Sequence, residues 1–303
     1  MNKLLGIAFG ALSAVSYGTN PLFGVNLLKV GFGVDAMLLW RFVLGSLVIL
    51  PLVFIDSKNL RIKLSQLAWV ALLGFLFAFS AETFFWSFTV MAASVASTIL
   101  FLYPIFVALI MSIFFKEKIG AATIMAIVMS FAGVAFLYAE DAGEAMKDNG
   151  LLGAIFVILS GLSYAFYIVI VKVTNLSDVS GLKITFYAMT FAAIALFFKC
   201  LISDTFQIPH SNLEIANIAA LAILPTAISI TAIAYSIKYA GATIAAVLGA
   251  LEPLTAVALS VCFLGEKFTS SLGIGIILIV SAVMILTLSG ATYPHLRRPK
   301  ETR

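Results

Sequence analysis

Glu252 stands in the middle of an apolar stretch, residues 250–267, ALEPLTAVALSVCFLGEK, directly before Pro253. An acid at that depth in a membrane segment costs at least about 2.5–3.5 kcal/mol by insertion scales, so it is expected to face protein or a watery cavity. Three roles fit the residue: a partner for a cationic amine, a proton-exchange group, or a neutral acid hydrogen-bonded to a neighbouring helix. Residues 101–118, FLYPIFVALIMSIFFKEK, repeat the proline (Pro104) and the closing Glu-Lys pair, with Tyr103 where Glu252 stands. A proline has no amide hydrogen, so the carbonyls of Leu100 and Gly249 lose their usual helical partners. In lipid such carbonyls must face protein or water. Two breaks at matching places suggest two bent helices lining one cavity, with Pro104 and Pro253 as hinges. Packing kinks are the plainer alternative.

Glu82, in FSAETFFW, is a second intramembrane acid, nearer a membrane surface. It is a second proton-coupling candidate, with a solvated structural role as the simpler reading. Arg41 lies about one helical turn inside its segment, where it is expected to snorkel or to pair with Glu82. Helical spacing puts Ser13, Tyr17 and Asn20 on one face, and likewise Ser160, Tyr164 and Tyr167, or Thr231, Tyr235 and Lys238. A polar stripe on a membrane helix points towards a cavity or another helix. The candidate substrate-binding residues are therefore Tyr17, Asn20, Tyr103, Tyr164, Tyr167, Tyr235 and Glu252. Rings, hydroxyls and one acid suit a small amphipathic metabolite, such as an amino acid or an aromatic amine. Gly6, Gly10, Ala14 and Gly18 form a ridge of small residues that reads as helix packing.

The elements that hold these residues follow from composition. Of 303 residues, 62% are hydrophobic and 11% charged, against about 25% charged in a soluble domain. Apolar runs of about 20 residues, each long enough to cross a bilayer as a helix, follow one another at 4–24, 35–55, 66–87, 92–114, 120–138, 151–171, 181–202, 214–237, 242–264 and 271–289. The strict alternation of a membrane β-barrel strand is missing. An all-α integral membrane protein with ten transmembrane helices is expected. The first run continues past SAVSYG to Phe23 and is read as a retained span.

Alternating sides down the chain gathers thirteen basic residues on one face, among them Lys58, Arg61, Lys63, Lys116, Lys118 and the tail Arg297, Arg298, Lys300 and Arg303. Lys29, Lys147, Lys199 and Lys267 fall on the other. The positive-inside rule then puts both termini in the cytoplasm, with the acidic 139–150 loop outside. The expected location is the cell (inner) membrane, multi-pass.

The chain also repeats itself. Residues 93–118 match 242–267 at Ala93/Ala242, Ala96/Ala245, Leu102/Leu251, Pro104/Pro253, Phe114/Phe263, Glu117/Glu266 and Lys118/Lys267, and residues 6–20 match 153–167. One duplication yields two units, 1–145 and 146–303. An odd number of spans per unit inverts the second relative to the first, which is a plan of secondary transporters built around a midplane site. The motifs SYGTN (16–20), WRF (40–42), YP (103–104), EP (252–253), FKEK (115–118) and LGEK (264–267), in this order and doubled, resemble the EamA family of the drug/metabolite transporter superfamily. Tyr17 stands in place of that family's usual tryptophan, and Lys116 in place of the glycine of the first closing motif. The resemblance implies ten helices as two inverted five-helix repeats around a central cavity. It also implies a secondary transporter working by alternating access, with an exporter of small metabolites favoured over an importer or exchanger.

Other classes lack support. The two histidines, His210 and His295, lie in a loop and the tail, and no GxSxG, HExxH or phosphate-cradling motif occurs. No enzymatic activity, cofactor or metal is expected. A channel would need charge rings or a filter sequence, which are missing. Cys200 and Cys262 sit in apolar segments as small filler. The net charge of +4 reflects loop bias rather than nucleic-acid binding. The expected partners are a small-molecule substrate, the lipid bilayer and possible coupling protons; no oligomeric state is legible.

Overall fold

The computed structural model describes residues 2–289 apart from 58, 118, 138–149, 175 and 177–178. Lys58, Lys118, the acidic 139–149 stretch with Lys147, and the basic tail with His295 lie outside the described residues. Those described are helical, joined by short turns, with no strand among them. The first unit runs α1 (Asn2–Tyr17), α2 (Asn20–Lys29), α3 (Val34–Ser57), α4 (Leu64–Ser87), α5 (Ala93–Leu100), α6 (Tyr103–Phe115) and α7 (Ala121–Leu137). The second runs α8 (Gly150–Val173), α9 (Gly181–Ile202), α10 (Asn212–Ala222), α11 (Ser229–Ala240), α12 (Ala242–Leu248), α13 (Leu251–Leu259) and α14 (Ser270–Leu288).

Helix covers every apolar run expected from the sequence, and among the described residues 8 helical stretches are long and apolar enough to cross a membrane as they stand. Two runs are shorter. One is α7, with 17 residues; the other is the first run, which is broken at Gly18–Thr19 between α1 and α2. Large apolar side chains such as Ile55, Phe131 and Ile202 are exposed on the outside, as a lipid-facing surface requires. Phe42, Phe85, Met37, Leu38 and Leu73 are fully buried inside. This is a multi-pass helical membrane protein.

Four prolines have distinct local solutions. Pro104 and Pro21 sit in the first turns of α6 and α2, where a missing amide costs nothing. Pro253 likewise enters the first turn of α13, and the Gly249 carbonyl accepts from the Glu252 amide at 2.9 Å instead. Asn20 secures the break before α2 by donating from Nδ2 to the Tyr17 carbonyl at 2.8 Å, while Thr19 Oγ1 donates to the Ser16 carbonyl at 2.6 Å. Pro225 does not break its helix. A wider π turn, Ile223–Ile228, absorbs it, and the Thr226 hydroxyl donates to the Leu221 carbonyl at 2.9 Å, the acceptor that Pro225 leaves unserved.

The two units are interleaved. α1 packs along α11, and α8 along α4; α9 packs on both α3 and α4, and α14 on α7. The same serine clasp occurs in two of these cross-unit pairs, α1–α11 and α8–α4. Ser13 Oγ donates to the Ser229 carbonyl at 2.8 Å, and Ser160 Oγ donates to the Ser80 carbonyl at 2.7 Å. Ser13 corresponds to Ser160 in the repeat, so one contact is built twice with the units exchanged. Small residues allow the approach. A Cβ on Gly74 of α4 would stand 2.5 Å from the Phe191 Cβ and 2.8 Å from the Ala188 carbonyl oxygen of α9. Gly74→Val is therefore expected to destabilise the bundle by about 1–3 kcal/mol through overpacking, seen as a lower Tm in detergent. Gly120→Val, where nothing lies within 4 Å, leaves Tm unchanged.

Candidate substrate cavity

Where the broken helices meet, a cavity of about 270 Å³ opens inside the bundle. Its walls come from the α1–α2 break (Tyr17, Asn20), the α5–α6 break (Leu100, Tyr103), the α12–α13 break (Gly249, Glu252, Pro253), and from residues of α4 (Ser80, Phe84), α8 (Tyr164, Ile168) and α11 (Ser229, Ile233). Breaks gather here because chain that leaves helical geometry at membrane depth is tolerated only against protein or a water-filled space.

Of the expected site residues, the cavity gathers Tyr17, Asn20, Tyr103, Tyr164, Glu252 and Pro253. Glu252 is the one charged side chain among the lining residues, and no described residue donates a hydrogen bond to its carboxylate. Asn20 is buried, with Nδ2 engaged on Tyr17 and Oδ1 unpartnered, which leaves an acceptor at the wall. Tyr103 and Tyr164 meet edge to face, with ring centroids 5.0 Å apart. Tyr17 lies within electrostatic reach of both Arg41 and Glu252.

The other candidates stand elsewhere. Tyr167 lies behind the wall, stacked on Tyr164 at 5.9 Å and against Phe77 at 5.8 Å. Tyr235 is 40% exposed on the outside of the bundle, stacked on Phe9 at 5.3 Å and on Tyr239 at 6.1 Å. The α11 face that reaches the cavity carries Ser229, Ile230, Ile233 and Ile237 instead, so the stripe of Thr231, Tyr235 and Lys238 is turned away. Pro104 lines a small side pocket of about 30 Å³ with Phe101, Ile168 and Ala246.

Glu82 is also outside the cavity. Lys199 Nζ pairs with it and, at 3.1 Å, with Asp35 Oδ1, while Thr205 Oγ1 donates to Asp35 Oδ2 at 3.1 Å. Arg41 neither snorkels nor meets Glu82. It is 3% exposed; Nε donates to Thr226 Oγ1 at 3.1 Å, and the guanidinium lies over the rings of Phe42 and Phe85, 5.8 and 5.5 Å from their centroids. Aromatic faces thus offset the burial of this cation. Sequence reasoning passed over Ser97, Phe84 and Phe101 as wall residues. Their signal is adjacency to a break or to a clasp, which needs the partner helix to be read.

A model of the EamA-like transporter family matches residues 4–139 and again 151–288, and the chain belongs to that family. That makes it a membrane transporter and not an enzyme. An uncharacterized transporter of Clostridium kluyveri is 26% identical over 92% of this chain and 92% of its own length. One of Archaeoglobus fulgidus is 28% identical over 92% of this chain and 95% of its own length. A solved crystal structure superposes with a TM-score of 0.67 at 16% identity, covering 95% of this chain and 98% of its own, which supports the fold alone.

The Lys199 cluster yields a test. Lys199→Met leaves the carboxylates of Asp35 and Glu82 without their cation, and the half-exposed lysine places the expected loss at about 1–3 kcal/mol. Adding Glu82→Gln to Lys199→Met is expected to return part of the lost Tm in a double-mutant cycle.

Proposed function

We propose that this protein is a secondary transporter that exports small amphipathic metabolites, with amines foremost and amino acids as the neighbouring class, by alternating access. Ten spans form two inverted five-helix repeats, residues 1–145 and 146–303, with both termini in the cytoplasm of a cell whose inner membrane holds the chain. The observation that carries the reading is Glu252. It faces a cavity of about 270 Å³ at the breaks of three helices, with no basic side chain among the lining residues.

The chemistry follows from that wall. A carboxylate receives an ammonium group by a charge-assisted hydrogen bond, and the faces of Tyr17, Tyr103 and Tyr164 attract the same cation through their ring quadrupoles. Asn20 Oδ1 supplies an acceptor for a further N–H. The isoleucines of α11 meet the apolar part of the molecule. When no substrate is bound, Glu252 is the group that would take up a proton, and exchange of the proton for the amine couples the two flows. Glu82 has no part in this step, because Lys199 holds it away from the cavity. The exchanged clasps Ser13–Ser229 and Ser160–Ser80 support the inverted arrangement, and basic loop bias supports the orientation. Outward direction rests on the family resemblance.

Counterflow in proteoliposomes tests the proposal with phenethylamine as the probe. Saturable uptake and trans-stimulation by internal phenethylamine are expected. Glu252→Gln is expected to lower uptake at least about tenfold and to abolish its pH dependence, with the purified variant still monodisperse. Linear, non-saturable flux would indicate a channel, and full activity of the variant would remove Glu252 from the site.

A further inference from the structure

We propose that Glu266 and Glu117 are a pair of latches, each closing one mouth of the cavity by capping a half-helix of the opposite repeat, and that this conformation has the Glu266 latch shut and the Glu117 latch open. The inference rests on the alternating-access reading above.

The shut latch is a pair of hydrogen bonds between the repeats. Glu266 Oε1 accepts from the Ala93 amide at 2.7 Å, and Oε2 accepts from the Ser94 amide at 3.1 Å. These are first-turn amides of α5, which have no acceptor within their own helix, and the capping position is Ala92, whose side chain offers none. A carboxylate from the other repeat supplies both acceptor and compensating charge. Around it this end is packed by neighbouring helices and a loop. α13 packs on α5, and α2 touches α5 and the 260–264 turn. The 203–211 loop straps over the same end, with Gln207 Oε1 accepting from the Gly33 amide at 2.7 Å and the Gln207 carbonyl accepting from Trp40 Nε1 at 2.8 Å.

The open latch is its counterpart in the repeat. The match of 93–118 with 242–267 puts Glu117 at the place of Glu266, and the amides of 242 and 243 at the places of those of Ala93 and Ser94. The capping position there is Gly241, again without a side-chain acceptor. Glu117 accepts no hydrogen bond from any described residue. Packing agrees: α13 packs extensively on α5, whereas their counterparts α6 and α12 make at most marginal contact, and the cavity wall runs out along Ile237, Ala245 and Ala246 towards that end. Closing this mouth would bring Glu117 onto the amides of 242 and 243, while opening the other would release Ala93 and Ser94. The two glutamates thus do not serve one cavity at once. They alternate.

The test reads shape, so it needs no identified substrate. In the full chain carrying Cys200→Ser and Cys262→Ser, spin labels go on the exposed pair Thr89 and Phe268 at one mouth, and on the exposed pair Ile119 and Lys238 at the other. Distances are measured by pulsed electron resonance in lipid nanodiscs. The wild type is expected to be mainly short across 89–268 and long across 119–238. E266Q is expected to shift the ratio of the two populations about tenfold, lengthening 89–268 and shortening 119–238 together. E117Q is expected to push the balance the other way, and the double variant to return towards the wild type. E266D, which keeps the charge on a shorter arm, is expected to fall between wild type and E266Q, and it serves in place of E266Q should that variant not be monodisperse. Two anticorrelated populations in the wild type that E266Q and E266D leave unmoved would overturn the latch and leave alternating access standing. Distances at the two mouths that vary independently would overturn both.

Discussion

In a bilayer no backbone amide or carbonyl may be left without a partner, and this chain is organised around where that rule is strained. Its helices break at Gly18–Thr19, between Leu100 and Tyr103, and between Leu248 and Leu251. Each break exposes groups that lipid cannot serve, so the breaks converge, and the space they share is the cavity. The same constraint accounts for the smaller devices. Thr226 takes the carbonyl that Pro225 abandons, Asn20 takes the Tyr17 carbonyl, and Glu266 takes the first amides of α5. The candidate site lies where the backbone is already non-helical, because that is where polar groups are admitted at all.

Interleaving of the two units follows from a second limit. Lipid provides no hydrophobic drive for helix association, so close packing and interhelical hydrogen bonds must supply it. The serine clasps and the Gly74 contact do this across the unit boundary, and they make α1–α11 and α8–α4 the joints of the bundle. The repeat is not perfect. α8 has no break corresponding to that between α1 and α2, because Tyr167 stands where Asn20 stands and no proline follows it. The cavity is accordingly lopsided, with a caged amide on one side and a tyrosine pair on the other.

The charged groups divide by the company they keep. Glu82 resembles Glu252 in sequence, as an acid within an apolar run, yet Lys199 and the end of α9 absorb it into a structural cluster. Arg41 is held by aromatic faces and Thr226 rather than by an acid. Glu252 alone among the cavity residues has charge without a protein partner, which separates a site from a scaffold.

Much was legible along the chain. Hydropathy located the helices to within a few residues, because the length of an apolar run is set by the bilayer and read locally. The duplication and the prolines marked two of the three breaks; Asn20-Pro21 marked the third, though the apolar run across it hid the signal. Glu252 was a candidate as an acid within an apolar run, Tyr103 as its counterpart in the repeat, and Tyr17, Asn20 and Tyr164 from helical spacing. Tyr167 and Tyr235 were equally good candidates by the same spacing and do not reach the cavity. A helical stripe says which residues share a face, but not what that face meets. Rotation of α11, which turns Ile233 inward and Tyr235 outward, is decided by the serine clasp and by the packing against α1. Composition and periodicity thus determined the membrane class, the helices and the repeat, all of which depend on neighbours in sequence. The tertiary structure alone decided which acid meets the cavity and which is neutralised, because those depend on residues brought from elsewhere in the chain.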